Sequence, residues 1–167
     1  MLLRPAVPTD ITRIVALERS APALDFVGQW TLDRHHATLA SPDARYFVSE
    51  SENGDLEAYI ILRGLSESSG AIELKRFVVA RPERGLGRRI LLELMPIVFE
   101  DLRAHRLFLD VYQDNARARH LYETLGFVYE GVMREAAQRN GVYCNLHLMS
   151  MLAAEYASRK NAPAVSP

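Results

Sequence analysis

The run Arg84-Gly85-Leu86-Gly87-Arg88-Arg89 follows the β-branched stretch at Phe77, Val78 and Val79 and opens an amphipathic segment. Neither glycine carries a Cβ, so a ligand can come close to the main chain. The first turn of a helix leaves about four N–H groups unpaired, and its dipole favours an anion there. Arginines beside such a turn add planar donors that match a phosphate or diphosphate. The chemistry on offer is anion binding. The alternative that the same residues admit is a sharp strand-to-helix corner with solvated arginines.

Two familiar phosphate loops can be tested against this run. No GxxxxGK[ST] occurs in the chain, which excludes a P-loop as normally written. A dinucleotide fingerprint would need glycine or alanine where Ile90 stands, although Asp110 lies at about the distance expected of a ribose-binding acid. A Rossmann-type nucleotide module is therefore the secondary reading. Other reactive residues carry less. His35 and His36 are adjacent and diverge on a helix, and no cysteine or histidine spacing matches a zinc site, so no metal is expected. Cys144, the one cysteine, has no evident base beside it and can form no internal disulfide.

The elements that would position these residues read as follows. Leu2 to Val7 is a short strand. A helix through Ile11, Ile14, Val15 and Leu17 is capped by Thr9 or Asp10. A less regular helical region from Asp25 ends before Ser41-Pro42. The strand-like runs RYFVSES and LEAYIILRGL flank Asn53-Gly54, a hairpin-turn signal. AIELKRFVVA is the next strand, and the glycine turn starts a helix to about Arg103 in which Pro96 predicts a kink. HRLFLDVYQ is a strand, Asp114 or Asn115 caps a short helix that Gly126 ends, and a last strand pair turns at Asn140-Gly141. The pattern implies one α/β (α+β) domain over residues 1–157, with a mixed, mostly antiparallel sheet of six or seven strands and a disordered tail at 158–167.

A formal charge of −1 gives no electrostatic reason to expect a nucleic-acid or membrane-surface partner. The first residues lack the pattern of a secretory signal, and no apolar run is long enough to span a bilayer, so the expected compartment is the cytoplasm.

VVARPERGLGRRILLEL followed by FLDVYQDNARARHLYETLGFVYEG resembles the general N-acetyltransferase (GNAT) superfamily. NxxARxLYExLGF is the more specific part, and the closing hairpin resembles the branch of ribosomal-protein N-terminal acetyltransferases. The resemblance implies a sheet whose central parallel strands splay, acetyl-CoA as cosubstrate, and an amine acceptor, either a small molecule or a protein N-terminus. It also allows a homodimer. The alternative is a catalytically silent acyl-CoA-binding domain. In the family's loop, (Q/R)xxGx(G/A), the first position here is Pro82, which has neither charge nor N–H.

Acetyl transfer needs a neutral amine, so an ammonium with a pKa of about 10 must lose a proton, while the departing thiolate benefits from gaining one. The resemblance assigns Tyr122 as general acid, with Asp110 or Glu73 as base. It gives the pantetheine arm to the main chain of Phe77, Val78 and Val79 and to Asn115. The pyrophosphate goes to the run Arg84, Gly85, Leu86, Gly87, Arg88 and Arg89. Gln29 and Trp30 fall where the family builds its acceptor pocket.

Overall fold

The computed structural model describes residues 2–20, 25–81 and 85–161. In chain order it contains β1 (Arg4–Pro5), a 3-10 turn (Pro8–Asp10), α1 (Ile11–Glu18), α2 (Leu32–Leu39), β2 (Ala44–Glu50), β3 (Leu56–Arg63) and β4 (Ala71–Val79). There follow α3 (Leu86–Pro96), a π turn (Ile97–Asp101), β5 (Arg106–Tyr112), α4 (Ala116–Leu125), β6 (Val128–Arg139), β7 (Val142–Leu152) and α5 (Ala153–Asn161). The strands form one seven-stranded sheet in the order β1-β2-β3-β4-β5-β7-β6. Only the β4–β5 pair is parallel. This is the mixed, mostly antiparallel architecture that the sequence predicts.

Apolar cores lie on both faces of the sheet. In β3, Ala58, Ile60 and Leu62 pack with Ile90, Leu91 and Leu94 of α3, while Tyr59 and Ile61 pack with Ile11, Ile14 and Val15 of α1. A strand with two dry faces reads as a continuous apolar run, which accounts for LEAYIILR.

β4 changes sides midway. Ile61 pairs with Arg76 but Leu62 pairs with Leu74, so Lys75 is the extra residue of a bulge. One extra residue reverses the parity of every side chain after it. Ile72 and Leu74 therefore face the α3 core, yet Val78 belongs to the α1 core, and Phe77 and Val79 pack against the α3 side. The bulge also sends Arg76 toward α1. Just before it, the β4–β5 ladder ends. Its pairs are Ala71–Arg106, Ile72–Leu107 and Glu73–Phe108, and the remainder of each strand diverges.

Four boundaries differ from expectation, each for a local reason. β1 is only two residues long because Glu93 takes the N–H groups of Leu2 and Leu3 at 2.8–3.0 Å. Asp25–Trp30 lies outside any helix: the Trp30 N–H binds Glu18 Oε2 at 3.1 Å, and α2 begins only where Thr31 Oγ1 accepts the Arg34 N–H at 3.2 Å. Pro96, which has no N–H to continue the α pattern, gives way to a π turn in which the Leu102 N–H reaches Ile97 C=O at 2.9 Å. The last helix, α5, runs to Asn161, into the stretch expected to be a tail, with Tyr156 stacked on Phe99 at 4.8 Å between ring centroids; residues 162–167 lie outside the described chain.

Glu18 sits at the end of α1 with no solvent exposure. Its Oε1 accepts the Tyr59 hydroxyl at 2.5 Å and Arg76 Nη1 at 2.8 Å, and His35 Nε2 stands 3.4 Å away. Burial pushes the Glu18 carboxyl up. The nearby His35 ring, the Tyr59 hydrogen bond, the Arg76 charge and the Trp30 N–H outweigh burial and hold it below the usual glutamate range. A carboxyl lowered in the folded state contributes fully above the unfolded pKa of about 4.3, and the contribution is lost as pH falls through the folded value. Glu18→Gln, which leaves Arg76 buried without its counter-charge, should cost about 3 kcal/mol in urea unfolding at pH 7. The gap between the two proteins should narrow steadily below about pH 4.

Candidate active site

The divergence of β4 and β5 leaves main-chain groups of Leu74–Val79 on one edge without a strand partner. A groove of about 730 Å³ opens along it, lined by Phe77, Val78 and Val79 of β4, by Gly85, Gly87 and Arg88 at the start of α3, and by α4. Gly85 has φ +69°, a left-handed conformation that an L side chain would strain, and it turns the chain into the helix. A Cβ at Gly87 would lie 3.6 Å from the Phe77 ring and 3.4 Å from Leu121, so the missing side chain keeps the helix start close to the groove wall.

The expected anion-binding run divides into several kinds of residue. The Arg89 N–H is spent on Gly85 C=O at 3.2 Å, which removes it from the first-turn donors; among the described residues, Gly85, Leu86, Gly87 and Arg88 are the positions left to supply main-chain N–H groups there. The Leu86 side chain is buried in the core, so only its main chain can serve a ligand. Arg88 is exposed and lines the groove, whereas Arg89 is exposed and lines neither this groove nor the cavity beside it. Arg84 and Pro82 lie outside the described residues.

Asn115 caps α4, its Oδ1 accepting the Ala118 N–H at 3.1 Å. Four residues of this region, Phe77, Asn115, Ala118 and Tyr122, line both the groove and a second cavity of about 380 Å³, together with Phe26 and Val27. Tyr122 is thus placed where the two spaces meet. It is 7% exposed, its ring meets Phe127 edge to face, and among the described residues no partner hydrogen-bonds its hydroxyl. Burial, with the nearby charge of Asp110, raises its pKa well above that of a free phenol. The hydroxyl is therefore protonated at neutral pH and free to donate. Full transfer to a thiolate of pKa about 8.5 would be uphill, so its natural action is a hydrogen bond that strengthens as charge develops on sulfur.

Asp110 lines the second cavity. Its side chain is open, but into a concave space, and desolvation raises its pKa; Lys75 opposes the rise and Glu73 adds to it. A carboxylate with a raised pKa is the better base near neutral pH. Glu73 lies instead at the end of the parallel ladder, bound to Lys75 Nζ at 3.0 Å, and is not among the residues lining either space. Trp30 lines the second cavity, whereas Gln29 is exposed and off its wall. Cys144 is half-buried in β7 and is not among the residues lining either space.

Residues that sequence reasoning passed over also build the site. Arg139, near the tip of the β6–β7 hairpin, donates to the Asp25 C=O at 3.0 Å and pairs with Asp114, and its guanidinium faces Tyr112 and Phe26. It ties the hairpin across to the loop that carries Phe26. Glu18 and Arg76 did leave signals. Glu18 completes the apolar spacing of Ile11, Ile14 and Val15, and Arg76 interrupts an apolar strand.

A sheet opened between two parallel strands, with a helix start at one end of the gap and a protonated phenol at its centre, defines a coenzyme-dependent acyl-transfer site. The sequence pattern of the acetyltransferase (GNAT) family matches residues 15–127, and the chain belongs to that family. It is an acetyl-CoA-dependent N-acetyltransferase. A spermidine N(1)-acetyltransferase of Vibrio cholerae is 30% identical over 118 residues, covering 69% of this chain and 67% of that one. The Escherichia coli K12 protein of the same name is 24% identical over 96% of this chain and 90% of its own. A solved structure of a variant of the Vibrio cholerae enzyme superposes with TM-score 0.83 at 24% identity, covering 96% of this chain and all of the other. These relatives are not of the ribosomal-protein N-terminal branch to which the closing hairpin was likened. The reason is that NxxARxLYExLGF lies within the stretch, residues 15–127, that matches the family as a whole and so does not choose a branch, and β6 is an exposed edge strand whose pattern carries little constraint.

Asn115→Asp should retain the cap, since Asp and Asn serve equally as acceptors there, and leave the melting temperature unchanged. The loss of its amide donor should raise the KM for acetyl-CoA about tenfold. Steady-state kinetics with an unaltered KM would reduce Asn115 to a cap.

Proposed function

We propose that this enzyme acetylates a small primary amine, which attacks the thioester directly in a ternary complex. The observation that carries the reading is Tyr122 at the junction of the groove and the second cavity. Acetyl-CoA would lie along β4 with its pyrophosphate on the first turn of α3 and its thioester beside Tyr122. The amine would enter from the second cavity. Asp110 would take its proton through water, and Tyr122 would donate to the departing sulfur. Glu73 would act on this step only through its charge, which favours protonation of Asp110.

A small acceptor, in preference to a protein N-terminus, is supported by the bridge from Arg139 to Asp25 and Asp114, since the same guanidinium lies over Phe26 and Tyr112 of the cavity wall and ties them together. The two relatives named for spermidine are enzymes of a small amine, which fits the same size of acceptor, and Asp110 supplies a carboxylate for the reacting ammonium.

Tyr122→Phe should lower kcat by about 10²-fold in a thiol-release assay while the affinity for acetyl-CoA, measured by calorimetry, stays within twofold (~0.4 kcal/mol). Asp110→Asn should lower kcat/KM by about 10²-fold and remove the acidic limb of its pH profile, along which the native rate rises with pH as the carboxyl ionises. An unchanged rate in either variant would refute the role given to that residue.

A further inference from the structure

The lining of the acceptor cavity has an uneven distribution of charge. Asp110 is its one acidic residue among those described, and Lys75 and Glu73 are the charges that act on it. Elsewhere on the same wall stand Arg34, Arg76 and Trp30. The Arg34 guanidinium lies 4.0 Å from the centroid of the Trp30 ring and that of Arg76 lies 4.4 Å from it, so one buried indole holds both cations.

The donors of these two arginines are largely unused. Arg34 is exposed, and among the described residues its guanidinium has no hydrogen bond or ion pair. Arg76 is 8% exposed and spends Nη1 on Glu18; its Nε is buried without a partner, and among the described residues none accepts from Nη2. That Nη2 lies beside Gly28, itself on the cavity wall, where an added Cβ would come within 3.7 Å. Glu18 balances the charge of Arg76, which leaves that of Arg34 uncompensated. The second ammonium of a polyamine placed here would meet like charge. A carboxylate would meet two planar sets of N–H donors.

We propose that Arg34 and Arg76, held on Trp30, form a carboxylate subsite, and that the acceptor is an amino acid or similar amine with a carboxylate at its far end. The inference rests on the acetyltransferase reading of the cavity. Asp110 and Tyr122 serve the amine, and the arginine pair selects and orients the molecule that carries it. Arg34 and Arg76 are then specificity residues that do not touch the reacting atoms.

Matched amines test this by thiol release: phenylalanine, phenylalaninamide and phenethylamine in one series, 4-aminobutanoate, 4-aminobutanamide and butylamine in the other, with spermidine beside them. In at least one series kcat/KM for the carboxylate should exceed that for the amide and the decarboxylated amine by about tenfold or more. Arg34→Gln and Arg76→Lys, the latter keeping a charge against Glu18, should collapse that ratio while the melting temperature reports folding. Trp30 is the only tryptophan, so its fluorescence reads occupancy of the subsite without turnover. Titration with the carboxylates should change the emission of the native protein and not that of Arg34→Gln. Preference for spermidine or the decarboxylated amines, with thiol released, would overturn the subsite and leave the acetyltransferase standing. If no amine releases thiol and calorimetry detects no acetyl-CoA binding, the catalytic reading fails, and the Trp30 titration still decides the subsite: no response to any carboxylate overturns it.

Discussion

Between Glu73 and Phe108 the two central parallel strands stop pairing, and the groove and the second cavity are built around the gap that opens there. A backbone edge left inside a protein needs hydrogen-bond partners. An extended ligand arm can supply them, somewhat as an added strand would. The gap also fixes where other elements can bring their groups. The start of α3 stands at one end, and α4 crosses beside it and delivers Asn115 and Tyr122. The bulge at Lys75 completes the arrangement, since it turns Phe77 to the α3 side and Arg76 to the other.

The buried cluster around Glu18 connects that geometry to the acceptor side. Burying a carboxylate and a guanidinium costs several kcal/mol per ion, and the pair persists because Tyr59, His35 and the Trp30 N–H satisfy much of what burial takes away. One consequence is local. The Trp30 N–H is drawn to Glu18 and the indole sits against Arg76, so the loop between α1 and α2 is fastened to the sheet at the cavity wall. Core and site therefore share residues, and a change at Glu18 or Arg76 acts on both stability and the shape of the pocket.

Much of the groove was legible because its residues are local in sequence. Gly85 and Gly87 mark a strand-to-helix turn, Asn115 precedes the helix it caps, and Tyr122 follows within the same short motif. The groove brings Phe77, Val78 and Val79 together with them. The acceptor side was less legible because its residues come from remote elements. Arg34 on α2, Arg76 on β4, Asp110 on β5 and Arg139 on β6 share no spacing that a linear pattern could show. Trp30 was visible as a candidate, but the guanidiniums on its ring were not.

The sequence by itself determined the order of elements, the turn chemistry at Asn53-Gly54 and Asn140-Gly141, and the family to which the chain belongs. Such features depend on alternation, turn preference and groups a few residues apart. Only the tertiary structure decided that Arg89 spends its N–H within its own helix, that Glu73 pairs with Lys75 off the cavity wall while Asp110 lines it, and that two arginines converge on Trp30. The physical reason is that an extra residue in one strand reverses which face each later side chain meets. Register and bulge position are settled by pairing and packing across the sheet, between residues far apart in the chain.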